Sequence, residues 1–167
     1  APDEMHIDIG LVNSIVARSS LSFINGEEGI LEYVGYDIDM LARQSTFEET
    51  TYLLWNRRLP SHSELDEFSM QIRSNYALTE TLLDMIVSIP RDASPMHALR
   101  TLCSALSLED PGADDHSTAA NERKSIAMLS KMPALIAGFD RHRKGLDFVD
   151  PDPEMCSAEN FLYMLNG

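Results

Sequence analysis

One short stretch of this chain is patterned as paired β-strands, and everything beyond it is punctuated as helix. Ser20 to Ile24 and Ile30 to Val34 are β-like runs on either side of Asn25-Gly26-Glu27-Glu28-Gly29. Apolar alternation around an Asn-Gly is the sequence form of a hairpin, because both residues tolerate the positive φ that such turns need. Helix start and stop signals then follow one another to the last residues. That order predicts an all-α, mainly helical fold with one small N-terminal β-hairpin near residues 20 to 34.

The punctuation places the helices. A short helical piece is expected over Asp37 to Arg43, and Ser45-Thr46 opens the next, with Glu48 and Glu49 at capping-box distance. Ser61 with Glu64 forms a second box directly after Pro60 and starts a helix reaching about Asn75. Thr79 caps a helix whose apolar stripe is Leu82, Leu83, Ile86 and Val87, and Pro90 ends it. Ser94-Pro95 reads as an N-cap with proline at the first helical position. The stripe behind it is Met96, Leu99, Leu102, Cys103 and Leu106, widened by Ala98, Ala105 and Leu108. A helix apolar on so many sides is usually buried between partners.

Glu109 to Ala120 reads as a polar loop, followed by a long helix over about Thr118 to His142. Pro133 in its interior should kink it, and Gly145 closes it. Asp150-Pro151-Asp152-Pro153 is an extended spacer before a last helix opened by Ser157. Phe161 to Leu165 crowd apolar side chains into the final seven residues. Exposed contiguous apolar surface promotes association, so cover from a larger body is favoured over packing back into this segment.

Composition excludes several classes of function. A chain of 167 residues suits one domain. A net charge of −14 argues against nucleic acid and against anionic membrane surfaces as partners, since both need clustered Lys and Arg. No run approaches the ~18 apolar residues of a membrane span, and no secretory signal stands at the N-terminus. The chain reads as cytoplasmic. Cys103 and Cys156 make no disulfide framework, and Cys103 reads as a buried free thiol.

The candidate sites have structural readings that outweigh chemical ones. Arg141-His142-Arg143-Lys144 could meet the phosphates of a CoA-type ligand. The same cations in a last helical turn complement its negative end, which is the preferred reading. His97 has no carboxylate or nucleophile at helical spacing, and Arg100 opposes its protonation, so it reads as a structural or interface histidine. His6, His62, His116 and His142 are scattered without metal-ligand spacing. Asp37 with Asp39, and Glu48 with Glu49, sit in first helical turns, where capping accounts for them. Catalytic, cofactor-binding and metal residues are therefore each read as none.

Four blocks carry a family resemblance: SFINGEEGILEYVGYDIDMLARQSTFEETTYLLWNRRLP (22–60), IPRDASPMHALRTLCSALSL (89–108), SIAMLSKMPALIAGFDRHRKGL (125–146) and SAENFLYMLNG (157–167). Their order and separations resemble the amino-terminal portion of citrate synthase over roughly residues 9 to 167. The bacterial or archaeal type and 2-methylcitrate synthase look nearest. The resemblance implies condensation of acetyl-CoA with oxaloacetate to citrate and CoA, a tricarboxylic acid cycle step. It implies substrates but no cofactor. In the family an aspartate and two histidines do this work, and they follow the block that here is Asn160 to Leu165. None can be carried over, so the segment alone is expected to be inactive.

The resemblance also implies a homodimer through the helices at about 95–108 and 118–142. Small Ala127, Ala134, Ala137 and Gly138 let helices approach closely there. Two departures stand inside the matched region. Val34 precedes Gly35 where the family typically has Arg, and Arg57-Arg58 stand where a Gly is common after a helix, which would leave Asn56 to supply the left-handed cap. Two alternatives to a citrate synthase segment remain: a 2-methylcitrate synthase segment, or a half-length helical interaction protein without catalysis.

Overall fold

The computed structural model of the chain describes residues 10, 15 and 18–167. Among them are seven α-helices, as the sequence pattern predicts, and one antiparallel sheet of three strands where the pattern predicts a two-stranded hairpin. The chain divides into two compact units, residues 1–59 and 60–167.

The first unit opens with strand β1 (Ser22–Asn25), β2 (Ile30–Tyr33) and β3 (Tyr36–Asp37), in that spatial order. Asn25 pairs with Ile30 and Ser22 with Tyr33, so the connection is four residues long and Asn25 belongs to the strand. Asn25 Oδ1 accepts from the amides of Glu27 at 3.1 Å and Glu28 at 3.2 Å, which folds the loop over its side chain. The positive φ lies at Gly29 (69°), not at the Asn-Gly pair. β3 escapes sequence reading because it is only two residues long. Val34-Gly35 joins it to β2 with φ of 52° and 81°, and Tyr33 pairs with Tyr36, which is a primed two-residue hairpin turn. A β-branched residue is strained at positive φ, so the Val34 departure is a local cost.

Helix α1 (Ile38–Gln44) starts on Asp37, whose Oδ1 accepts from Asp39 N at 2.9 Å and Met40 N at 3.1 Å. Helix α2 (Phe47–Asn56) has the expected capping box, with Thr46 N donating to Glu49 Oε2 at 2.7 Å and Glu49 N to Thr46 Oγ1 at 3.1 Å. Glu48 is not part of the box; it is buried. The left-handed cap falls on Arg57 (φ 60°), not on Asn56, because Arg57 N closes onto Leu53 O at 2.7 Å.

The second unit is built around one helix. α3 (His62–Arg73) and α4 (Glu80–Ser88) start on Ser61 and Thr79 as expected. α5 (Pro95–Ala105) differs at its start, since the Ser94 side chain makes no capping bond. Pro95 has no N–H, and the Ser94 carbonyl takes the amides of His97 and Ala98, both at 3.0 Å. A 3-10 turn (Leu106–Glu109) leads through a loop to α6 (Thr118–Lys144), which runs unbroken through Pro133 for about 40 Å. Its end is closed by Gly145 at φ 71°. α7 (Ser157–Asn166) follows.

α6 touches α3, α4, α5 and α7. Ile86 of α4, Ala98 and Leu102 of α5, and Leu135 and Phe139 of α6 form one core cluster; Ala134, Ala137 and Met164 of α7 form another. A Cβ on Gly138 would stand 3.2 Å from Ile86 Cδ1 and 3.3 Å from a Phe148 ring carbon. The small residues Ala134, Ala137 and Gly138 thus serve packing within the chain. α5 is also less apolar all round than its sequence implied: Ala98, Leu102 and Ala105 are buried, while His97, Arg100, Thr101 and Ser104 face solvent.

Candidate functional site

The basic run at the end of α6 is occupied within the chain. Arg141, buried, donates through Nε to Asp147 O and through Nη1 to Leu165 O at 3.4 Å, tying the turn after α6 to the end of α7. His142 Nε2 stands 3.0 Å from Ile89 O. Arg143 Nε donates to Arg91 O at 3.2 Å and its guanidinium lies 5.9 Å from the Phe139 ring centre. Lys144 Nζ reaches Asp140 at 2.6 Å, one turn back. The four side chains have separate partners and do not converge on one anion.

The histidines stay apart as well. His97 is exposed in the first turn of α5, His62 and His116 are exposed elsewhere, and His6 lies outside the described residues. Among the described residues no group of three His, Cys, Asp or Glu side chains could hold a metal ion. Cys103 and Cys156 are free thiols. Burial pushes the Cys103 thiol up, and its sulfur lies 3.6 Å from Met132 Sδ.

The N-terminal half of α6 holds a pocket of about 290 Å³ that sequence reading did not find. It lies where the end of α5, the 3-10 turn and the following loop meet residues 123–131 of α6. Leu106, Pro111, Ala127 and Met128 supply much of its apolar wall. Its charges come from both sides of the loop. Asp110 accepts from Arg123 at 2.8 Å and from Gly112 N at 2.9 Å, and the Arg123 hydrogen bond holds its carboxyl below the usual carboxylate range. Lys124 Nζ donates to the carbonyls of Ala113 and Asp115.

Glu109 and Lys131 are the less settled pair. Glu109 Oε1 accepts from the Thr79 hydroxyl, whereas its Oε2 is buried without a hydrogen bond. Lys131 Nζ is 3.8 Å from that oxygen, beyond hydrogen-bond distance, with both side chains about four-fifths buried. A buried carboxylate oxygen lacking a donor is costly, so this pair is the most polarised feature of the pocket wall. The sequence signal was weak: Arg123, Lys124 and Lys131 share a helical face at seven- and eight-residue spacing, but the acids facing them lie in another element.

The fold compares with known proteins over nearly its whole length. A family model described as citrate synthase, C-terminal domain, matches residues 10–167. The citrate synthase of Haloferax volcanii is 45% identical over 162 residues, covering 95% of this chain and 43% of that protein. A 2-methylcitrate synthase of Mycobacterium tuberculosis is 34% identical, covering 95% of this chain and 40% of that protein. The crystal structure of citrate synthase from Pyrobaculum aerophilum superposes with a TM-score of 0.89 at 32% identity, covering 96% of this chain and 42% of the other. The chain belongs to the citrate synthase family. It spans about two fifths of the length of these relatives.

Proposed function

We propose that this chain is the amino-terminal portion of a citrate synthase and supplies the helical scaffold of that enzyme. In the whole protein the acetyl methyl carbon of acetyl-CoA, after losing a proton, bonds to the carbonyl carbon of oxaloacetate. Water then cleaves the thioester, leaving citrate and CoA. The observation that carries the reading is the match to the family model over residues 10–167 together with the TM-score of 0.89. Higher identity to a citrate synthase (45%) than to a 2-methylcitrate synthase (34%) favours acetyl-CoA over the longer acyl substrate.

On this reading the 167 residues alone turn over nothing. Condensation needs a base at the methyl carbon and donors at two oxygens, held within hydrogen-bond reach of one another. The described histidines lie apart, and the one pocket detailed above has no histidine in its wall. Thiol release from acetyl-CoA, and separately from propionyl-CoA, with oxaloacetate is the assay. The expected rate equals the protein-free blank. Turnover above it that is lost in His97→Ala would overturn the proposal.

Homodimerisation through α5 and α6 belongs to the same reading, with cytoplasmic location. Met96 and Ile136 are exposed on these helices and supply apolar contact. Ala137 is 1% exposed within its own chain, so a charge there would damage the fold whether or not a dimer forms. Ile136→Glu is the cleaner probe. Sedimentation should show a dimer at tens of micromolar protein that Ile136→Glu converts to monomer with helical content retained. A wild-type monomer at that concentration would refute the pairing.

A further inference from the structure

The pocket at the N-terminal half of α6 has a charge arrangement that selects one class of ligand, and it lies outside the chemistry proposed above. Its wall holds two opposite charges with unused hydrogen-bonding capacity: the buried Glu109 Oε2, which lacks a donor, and the Lys131 ammonium 3.8 Å from it, too far to serve as that donor. The other charges are already engaged. Arg123 is bonded to Asp110, and Lys124 to two loop carbonyls. Beside the open pair lie Leu106, Ala127 and Met128, which offer apolar contact.

We propose that this pocket binds a small zwitterion, an α-amino acid with an aliphatic side chain. Its ammonium would donate to Glu109 Oε2, its carboxylate would accept from Lys131, and its side chain would lie against Leu106 and Met128. Each end then forms a charge-assisted hydrogen bond, the stronger kind of polar contact. Net charge separates this ligand from its single-charge relatives. The chain carries −14, which repels free anions, while a lone cation would leave Lys131 facing a like charge. A zwitterion adds no net charge and complements both groups. The pocket volume of about 290 Å³ suits a molecule of this size.

The test uses the chain itself and three probes: L-leucine, 4-methylpentanoate, which lacks the ammonium, and 3-methylbutylamine, which lacks the carboxylate. Backbone amide shifts are followed by NMR as each probe is titrated. The expected result is saturable shifts around Glu109, Ala127 and Lys131 with a Kd of about 1 mM for leucine. Each single-charge analogue should bind at least about tenfold more weakly, because it leaves one of the paired groups without its charged partner. Lys131→Gln should remove the preference for leucine over the amine, and Glu109→Gln the preference over the carboxylate. Should either variant fail to fold, the three probes on the wild-type chain still decide. No saturable shift with leucine, or equal affinity for leucine and either analogue, would overturn the assignment.

Discussion

The C-terminal end of α6 and its N-terminal half both carry basic side chains and use them differently. At the C-terminal end, Arg141, His142, Arg143 and Lys144 all find partners: backbone oxygens of Asp147, Leu165, Ile89 and Arg91, and the Asp140 carboxylate. Towards the N-terminal half, Lys131, midway along the helix, stops 3.8 Å short of a Glu109 oxygen that has no hydrogen bond, beside a pocket. A dense basic run thus marks a helix end that organises its own surroundings. Charges dispersed over a loop and two helical turns mark the place with unused capacity. Density of charge in sequence is a guide to capping; unsatisfied geometry is the guide to binding.

The largest expected effect tests the C-terminal end. Arg141→Met should cost about 3 kcal/mol, since it removes a buried cation and leaves the Asp147 and Leu165 carbonyls without their donor. Denaturant unfolding measures it, and a loss under about 1 kcal/mol would break the contrast between the two regions. Next comes the cap. Gly145→Ala should cost about 1 kcal/mol, because Gly145 holds φ 71°. Arg57→Gly, at the comparable cap of α2 with φ 60°, should gain up to about as much. Both shifts are readable as changes in thermal midpoint.

Lys131→Gln should cost less than Arg141→Met, since its ion pair is made without a hydrogen bond and the glutamine amide can still donate towards Glu109. A cost approaching that of Arg141→Met would show that this region is scaffold too. The smallest effect concerns pH. The Arg123 hydrogen bond lowers the Asp110 carboxyl, and hydrogen bonds from Ser117 lower that of Asp115. A carboxylate depressed in the folded state stabilises it above its unfolded value of about 3.9 and loses that contribution as pH falls through the folded value. Amide exchange at Gly112 and Ser117 should therefore become less protected below about pH 4, while amides following Gly145 hold theirs. Equal loss at both places would contradict the assignment.

Much of the fold was legible because its signals are local. The boxes at Thr46 and Ser61, the cap at Thr79 and the closing Gly145 each lie within a few residues of what they stabilise. The hairpin was legible for the same reason, though its loop geometry was not, since Asn25 folds the loop through its side chain and the positive φ falls to Gly29. What stayed hidden depends on distant contacts. Ala134, Ala137 and Gly138 pattern like an interface stripe, and only the positions of Ile86, Phe148 and Met164 show that they pack inward. Arg141 reads as one member of a four-residue basic run until the turn at Asp147 and the end of α7 close around it. The pocket requires Glu109 and Lys131, 22 positions apart in sequence, to approach each other.

The difference between the two regions is tested most directly by titrating CoA against the 167-residue chain at low salt and reading amide shifts across α6. No saturable shift is expected at Arg141, His142, Arg143 or Lys144, because each is already bonded within the chain. Saturable CoA binding at that cluster, weakened by added salt and abolished by Arg143→Gln, would contradict it.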